Sequence, residues 1–443
     1  MKKKLLAGAG VALIAGAAHA QSSVTLYGII DEGLTYASNI ATPGPHGAVS
    51  GKPALRMLGG VQQASRWGLR GSEDLGGGLA AVFTLENGFD PSSGRLGQGG
   101  LMFGKKAFVG LSGPFGTVTL GRQYDTNVDI LGPLEAAALF GGYMVAHPGD
   151  LDNVNNANST NNAIKFTSKD YGGARVAAMY GVGGIAGAAT RNQVWSATVA
   201  YTRGPLAVAA GYLNARNPNV SFFGTTGSPA PTVGGVPGSN MLSPVYSGYA
   251  SARTLQVAAV GGTYAIGALT LGAMYTNTSF RQLGDLSSGP NPGGVSGNAV
   301  FNNAEASVRY QFMTSLFGGV AYDYTRGGGV NGRDGATYHQ VAAGLDYFLS
   351  KRTDVYVSAV YQRASGTDST GHVAVAAING PGASANDRQL QARRHAAQVL
   401  IRTTALERAV ISSRNARDRR ADTDCAYAAR RRAARRFRGR AEP

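Results

Sequence analysis

The stretch Glu305-Ala-Ser-Val-Arg-Tyr-Gln-Phe312 alternates polar and apolar side chains without a break. In an extended chain, alternate residues lie on opposite faces, so one face carries the apolar set and the other the polar set: Ala306, Val308, Tyr310 and Phe312 against Glu305, Ser307, Arg309 and Gln311. A period of two predicts a β-strand whose two sides meet different surroundings. Similar stretches, joined by glycine-rich turns, recur along most of the chain. This repetition predicts an all-β fold, a transmembrane antiparallel β-barrel with lipid outside and water inside.

The strand candidates number fifteen, with an uncertainty of several residues at each end. They lie near 23–36, 64–74, 78–89, 103–112, 116–122, 162–168, 174–182, 193–203, 206–214, 253–265, 268–276, 302–312, 316–325, 336–349 and 352–363. Short connections alternate with long ones at about 37–63, 123–161, 215–252 and 277–301. Single-chain bacterial barrels have even strand numbers, so 16 strands are expected. The sixteenth is expected after Asn386.

The N-terminus has the three parts of a secretory signal peptide. Lysines at positions 2–4 precede an apolar run from Leu5 to Ala18, and Ala18-His19-Ala20 resembles a cleavage site. We therefore predict a signal peptide over residues 1–20, removed after Ala20. The apolar run is too short to span a bilayer as a helix. Export of a barrel-forming chain predicts localisation to the outer membrane.

The formal charge of +16 is unevenly distributed. Residues 388–443 hold 16 arginines against five carboxylates, and the predicted signal peptide holds three lysines. The remaining residues, 21–387, hold 22 basic and 20 acidic side chains, a net charge of +2. We therefore expect no nucleic-acid partner for the barrel. The single cysteine, Cys425, also lies in the basic tail.

Several segments resemble the Gram-negative general porins in family order over roughly residues 1–390. They are Gln21-Ser-Ser-Val-Thr-Leu-Tyr-Gly-Ile-Ile-Asp31, Ser65-Arg-Trp-Gly-Leu-Arg-Gly-Ser-Glu-Asp-Leu75, Ala107-Phe-Val-Gly-Leu-Ser-Gly-Pro-Phe-Gly-Thr-Val-Thr-Leu-Gly-Arg-Gln-Tyr124, Asn161-Asn-Ala-Ile-Lys-Phe166 and Leu349-Ser-Lys-Arg-Thr-Asp-Val-Tyr356. The resemblance implies a 16-stranded homotrimeric porin that passes small hydrophilic solutes and ions. It also implies that the third long loop, about Tyr124 to Asn162, folds into the lumen as a constriction.

The resemblance also suggests which charges would form that constriction. Its basic wall would contain Arg66, Lys105 and Arg122, to which strand parity adds Arg70 and Lys165. Its acidic loop would contain Asp125, Asp129 and Glu135. A basic wall opposite an acidic loop sets a transverse field that orients dipolar solutes and weights ions by sign. For each of these charges the alternative is an ordinary solvated residue of the wall or rim.

Two features depart from the family pattern. Many relatives carry Pro-Glu-Phe-Gly-Gly at the tip of this loop, whereas this chain has Ala138-Leu-Phe-Gly-Gly142, without the glutamate. Strict alternation with Val118 and Leu120 would also turn Arg122 outward, unless the chain bends inward past Gly121. The sequence therefore leaves the ion preference and the solute open.

The tail after Leu390 does not resemble the family, and alternation stops there. Porins of this family end in a strand that closes with an aromatic residue, whereas residues 391–443 are rich in Arg and Ala. Reading codons permitted by Gln391 to Leu400 one nucleotide later allows a peptide that ends in Arg-His-Lys-Phe and a stop. We therefore divide the chain into a signal peptide (1–20), a barrel (21–390) and a tail (391–443) that is disordered or out of frame. The last strand would be disrupted, its neighbours would keep open edges, and assembly would be poor. The rival hypothesis makes the tail a genuine basic arm.

Other functions have weaker support in the sequence. Asp150, Asp152, Asn153 and Asn155 suggest a calcium loop, but the glycine and closing glutamate of an EF-hand are missing, so we expect no metal and no cofactor. No serine and histidine have the pattern of a lipase, so we expect no enzyme activity. We expect a passive diffusion porin, in contact with outer-membrane lipid and lipopolysaccharide. A non-conducting structural or adhesive barrel, or a non-functional frame-shifted allele, is the alternative.

Overall fold

A computed structural model describes residues 23–44 and 49–402, with the backbone alone for residues 394–402. The predicted signal peptide and residues 403–443 lie outside the described residues. In the described part, no helix is long and apolar enough to cross a membrane.

The described chain is built almost entirely from β-strands. In chain order they are β1 (Ser23–Pro43), β2 (Val49–Gly59), β3 (Arg66–Gly76), β4 (Leu79–Gly88), β5 (Lys106–Gly113), β6 (Gly116–Gln123), β7 (Thr160–Ser168), β8 (Ala174–Gly181), β9 (Val194–Arg203), β10 (Leu206–Arg216), β11 (Thr232–Val233), β12 (Val236–Pro237), β13 (Thr254–Ile266), β14 (Leu269–Leu283), β15 (Gly297–Met313), β16 (Leu316–Gly327), β17 (Thr337–Phe348), β18 (Thr353–Ser365) and β19 (Arg388–Arg402). Two short helices, α1 (Thr126–Ile130) and α2 (Pro218–Ser221), lie in loops. The small β11–β12 hairpin is separate from the main sheet.

The main sheet closes into a barrel of 16 strand positions. It contains 17 strands, but β2 and β3 share one position beside β1. Residues Ser23 to Ile29 of β1 pair with β3, and residues Glu32 to Pro43 pair with β2. The last strand, β19, pairs with both β18 and β1. Within residues 23–44 and 49–402, closure leaves no open edge of the main sheet, and the prediction of a 16-stranded antiparallel barrel is confirmed.

The two faces of the barrel follow the predicted alternation. On β15, Val308, Tyr310 and Phe312 are exposed on the outer surface, whereas Glu305 and Ser307 are buried inside. A polar inner face and an apolar outer face are what a barrel in lipid requires, since a charge on the lipid face costs about 2–4 kcal/mol near the midplane.

The sixteenth strand corrects one expectation. β19 begins at Arg388, just after Asn386 as the even-number rule predicts, but residues 391–402 of the tail form most of it. Gln389 and Gln391 are buried while Leu390 is exposed, so alternation continues past residue 390. Ladder hydrogen bonds use backbone groups, which any residue except proline can supply. The expectations of a disrupted last strand and of open edges were therefore wrong.

A second correction concerns the predicted long connection 37–63. Strand β1 continues to Pro43, and β2 returns over Val49–Gly59. The stretch Gly51-Lys-Pro53 carries turn-forming and charged residues, which hid this strand from the alternation pattern.

The predicted third loop, residues 124–159, joins β6 to β7 and follows the β1–β2 and β4–β5 connections, and it folds into the lumen as predicted. We call it loop 3. It contains α1, 3-10 turns at Gly132–Leu134 and Pro148–Asp150, and a π-helical turn at Ala137–Gly141. Helix α1 contacts β8, β9 and β10, and the π-helical turn contacts β16 and β17. Loop 3 therefore crosses the barrel interior from one wall to another.

Candidate pore constriction

Apolar packing holds the tip of loop 3 against the inner wall. Phe140 is buried in a cluster with Val61, Met144, Val145 and residues of β16, β17 and β18. A Cβ atom added at Gly319 would lie 2.3 Å from the Phe140 ring, so only glycine leaves room for the ring there. Gly319 of β16 thus leaves the space that the Phe140 ring of loop 3 occupies.

Polar side chains from β17 and from the connection between β18 and β19 hold residues 145–147 of loop 3 in place. The Gln340 side chain donates from Nε2 to the carbonyl oxygens of Val145 and Ala146, at 3.0 and 3.2 Å. The Asn379 side chain donates to the carbonyls of Ala146 and His147, at 3.1 and 2.9 Å. The His147 carbonyl also accepts from the backbone N–H of Asp150 at 2.7 Å, so the side chains of Gln340 and Asn379 complete the hydrogen bonding of this buried segment.

Asp125, one of the three predicted loop acids, is a buried helix cap. Its Oδ1 accepts hydrogen bonds from the backbone N–H groups of Asn127 and Val128, at the start of α1. Its Oδ2 accepts from the Asn153 side chain at 2.8 Å. Burial raises the pKa of Asp125 to about 6, against the lowering effect of these hydrogen bonds. The carboxylate is therefore not in direct contact with lumen water.

Glu135, the second predicted acid, is buried where loop 3 meets the wall. It lies beside His147, which is also in contact with Asp152 of the loop, Glu305 of β15 and Asp323 of β16. Burial raises the pKa of Glu135 above its usual range, and the nearby imidazole opposes that shift. In the other direction, burial would lower the pKa of His147, but the surrounding carboxylates hold it well above its usual value. This group anchors the loop to the wall and is not open to the lumen.

Asp129, the third predicted acid, does meet a predicted basic residue. The Lys165 ammonium on β7 forms an ion pair with Asp129 and donates to the Tyr124 carbonyl at 2.9 Å. The Asp129 side chain is one-third exposed, whereas Lys165 is almost fully buried. The alternation of side chains along β7 thus correctly predicted that Lys165 lies on the inner face.

Arg66 and Arg70 lie on the inner face of β3, around a buried glutamate. Glu86 of β4 accepts a hydrogen bond from the Tyr27 hydroxyl at 2.8 Å, and Arg66 Nε lies 3.8 Å from the same carboxylate oxygen. The Arg70 guanidinium lies over the Tyr27 ring, 5.4 Å from its centroid. Because Arg70 is exposed and Arg66 is partly exposed, both present positive charge to water.

Lys105 and its neighbour Lys106 both approach the ring of Tyr124. Their ammonium groups lie 5.6 and 4.8 Å from the ring centroid. In a regular strand, two adjacent side chains point to opposite faces. Strand β5 begins at Lys106, so this alternation does not apply to Lys105. Lys105 is nearly fully buried, so Lys106 is the more accessible of the two charges.

Arg122 occupies an irregularity in β6. The pairing of β6 with β7 shifts between Gly121 and Gln123, and Gly121 has φ +137°. The Arg122 guanidinium donates to the Gly104 carbonyl at 2.7 Å and to the Asn161 side chain. The structure does not bring it to any of the three predicted loop acids, and its role in the constriction stays a prediction.

The predicted basic residues therefore do not all lie beside the predicted acids. The structure brings Lys165 to Asp129, Arg66 to Glu86, Arg70 to the ring of Tyr27 and Lys105 to the ring of Tyr124. No pattern in the sequence identified Lys106, Tyr124 or His147 as members of these groups. Parity points Glu86 inward, which is a usable signal, whereas the burial of His147 depends on loop packing.

Comparison with known proteins identifies the family. The sequence profile of the Gram-negative porins matches residues 7–367. The chain is a Gram-negative porin. Its place is the outer membrane, and the porins to which it is related are channels.

Among the similar curated proteins is an outer membrane porin protein of Bordetella pertussis, 38% identical over 237 residues. That match covers 49% of this chain and spans about three-fifths of the relative, 61% of its length. Outer membrane porin protein 32 of Delftia acidovorans is 28% identical over 369 residues, which cover 80% of this chain and 88% of that protein.

Solved structures show the same fold at low sequence identity. The anion-selective porin from Comamonas acidovorans superposes with a TM-score of 0.64 at 22% identity, and the match covers 86% of this chain and all of that one. OmpT of Vibrio cholerae, in a form described as a trimer, has a TM-score of 0.57 at 18% identity, with 86% of this chain and 99% of that chain covered.

Proposed function

We propose that this porin is a general diffusion channel, through which small hydrophilic solutes and ions pass passively. The supporting observation is a closed barrel whose loop 3 is fixed against the inner wall while charged side chains of β3 remain in contact with water. A charged, water-lined passage lowers the barrier for polar solutes without any binding step or chemistry. We propose no catalytic activity for it.

The lumen charges favour anions in this proposal. Two of the three candidate acids, Asp125 and Glu135, are buried, and Asp129 is paired with Lys165. Arg70 lies over an aromatic ring and is exposed, and the partly exposed Arg66 lies near it. The accessible charge of this region is therefore positive, which raises the local concentration of anions.

Single-channel recording in a planar bilayer tests this function. The refolded protein is expected to give stepwise current increments that grow with salt concentration. A folded barrel that inserts without current steps would instead support the alternative, a sealed structural or adhesive barrel. Heat-modifiable migration on gels verifies that the barrel is folded in either case.

We also propose that the porin assembles as a homotrimer in contact with lipid and lipopolysaccharide. Support comes from the apolar outer surface and from a structurally similar porin described as a trimer. Chemical cross-linking in detergent is expected to give a limiting trimer band. A limiting monomer or dimer band would contradict the proposal.

A further inference from the structure

A fully buried histidine lies under loop 3, at the junction with the barrel wall. The His147 side chain has no exposed surface. Carboxylates from loop 3 and from two strands surround it: Glu135 and Asp152 from the loop, Glu305 from β15 and Asp323 from β16. We call these five residues the anchor cluster.

The two nitrogen atoms of the imidazole have different surroundings. Nδ1 lies 2.7 Å from Asp152 Oδ2, which also accepts a hydrogen bond from the Thr276 hydroxyl at 2.6 Å. When Nε2 gives up its proton to a metal ion and Nδ1 keeps its own, the ring presents a lone pair at Nε2. A carboxylate on one ring nitrogen is the usual orientation device of a histidine that binds a metal through the other.

Two buried atoms at the centre of the anchor cluster have no hydrogen-bond partner among the described residues. They are His147 Nε2 and Glu305 Oε2, which lie 3.5 Å apart. The second oxygen of Glu305 is already used, because it accepts from the backbone N–H of Ala136 at 2.9 Å. Buried polar atoms are nearly always satisfied, so these two point to a missing partner between them.

The positions of the donor atoms suit a small cation. Ligand atoms of Glu135, His147 and Glu305 lie within 4.8 Å of one another. From Nε2, the nearest oxygens of Glu305, Asp323 and Glu135 are at 3.5, 3.8 and 4.0 Å. Tetrahedral zinc with bonds of 2.0–2.2 Å holds its ligands about 3.3 Å apart. To complete that geometry, the distances from Nε2 must shorten by about 0.2–0.7 Å, and the widest separation among the three ligand atoms must shorten by up to about 1.5 Å.

The charge of the anchor cluster also calls for a cation. Four carboxylates surround one imidazole, and within the described residues no lysine or arginine forms an ion pair with any of the four. Buried carboxylates without compensation are costly, so the cluster must take up protons or a metal ion. The imidazole nitrogen suits zinc and similar transition-metal ions, which also accept carboxylate oxygens as ligands.

We propose that the anchor cluster binds one divalent transition-metal ion, such as Zn²⁺, that fastens loop 3 to the barrel wall. Nε2 of His147, Oε1 of Glu135 and Oε2 of Glu305 are the ligands, and Asp323 supplies the fourth position. Asp152 orients the imidazole. Because Glu135 and His147 belong to loop 3 while Glu305 and Asp323 belong to strands, the ion joins the loop to the barrel.

Zinc binding to the full chain, refolded in detergent, tests the proposal. Equilibrium dialysis with ZnCl₂ and metal analysis should give one Zn²⁺ per chain. His147→Gln should weaken binding at least 100-fold. His339→Gln is the matched control, because His339 is exposed on β17 and hydrogen-bonds to the Tyr322 hydroxyl. The control should bind like the original chain.

A spectroscopic measurement avoids dependence on the folding of any variant. The X-ray absorption spectrum of the zinc-loaded original chain should show one imidazole and a shell of oxygens. Absence of stoichiometric binding to the folded barrel would overturn the proposal and leave protons as the compensating charge. Equal binding by a folded His147→Gln variant, or a sulfur or several imidazoles in the spectrum, would also overturn it. Conductance is recorded separately without zinc, so either result leaves the diffusion function independently testable.

Discussion

At the residue scale, one buried ion pair lies at the seam of the barrel, between β19 and β1. Arg393 of β19 and Asp31 of β1 are completely buried, and their side chains are 2.9 Å apart. The guanidinium also donates to the Leu58 carbonyl at 2.7 Å, and Asp31 accepts from the Tyr356 hydroxyl at 2.8 Å. Removing one partner of a buried pair leaves an uncompensated charge.

Arg393→Met is therefore expected to destabilise the barrel by about 3–5 kcal/mol, because Asp31 loses its buried counter-charge. The measurement is the urea midpoint of the barrel in detergent. Arg388→Met is the matched control on the same strand, since Arg388 is 61% exposed and its surface pair with Asp387 contributes about 0–1 kcal/mol. Equal midpoints for the two variants would show that β19 does not close the barrel as described.

The face of the barrel on which a residue lies was easier to predict from the sequence than its burial. Parity correctly placed Lys165 and Glu305 on the inner face, because alternation is a local property of a strand. It could not show that Asp125 and Glu135 are buried, since their burial depends on loop 3 packing against distant strands. Two of the three acids predicted to line the constriction therefore hold loop 3 in place instead of facing the lumen.

At the element scale, loop 3 is held by a fit between an aromatic ring and a glycine. Gly319→Ala would bring a Cβ to within 2.3 Å of the Phe140 ring, so the tip of the loop must move. We expect noisier single-channel current and closure at lower voltage than in the original chain. Gly293→Ala is the control, because its Cβ would meet only Val295, at 3.9 Å. Identical current traces for all three proteins would contradict this account of the loop anchor.

Strand β19 shows where sequence reasoning succeeded and where it failed. The even-number rule located the strand after Asn386, but its unusual composition suggested that it was absent. Ladder pairing depends on backbone groups, and alternation over residues 389–391 was too short to be recognised alone. The poor assembly of the chain and the frame-shifted origin of its tail remain predictions.

Truncation separates the contribution of β19 from that of the residues beyond it. A stop codon after Asn386 removes β19 and leaves β1 and β18 with unpaired backbone groups, each of which costs several kcal/mol in lipid. We expect this variant to lose heat-modifiable migration completely. A stop codon after Arg402 keeps β19 and should preserve that migration. Folding of the shorter variant, or failure of the longer one, would contradict the assignment of the sixteenth strand.

At the scale of the whole molecule, the barrel combines a fixed loop with an accessible basic wall. The fold and the family could be predicted from alternation and from segments such as Ser65 to Leu75. The balance of accessible charge could not, because it depends on which carboxylates loop 3 buries. That balance decides the ion preference. A preference for anions is the central claim of the functional proposal.

The reversal potential across a planar bilayer in a tenfold KCl gradient tests this claim most directly. We predict the sign of a chloride-preferring channel, and a shift towards zero of at least half for the Arg66→Ala/Arg70→Ala double variant. Arg388→Ala, which removes an exposed charge from the end of β19, should leave the potential unchanged. A cation-preferring potential in the original chain, or an unchanged potential in the double variant, would contradict the account.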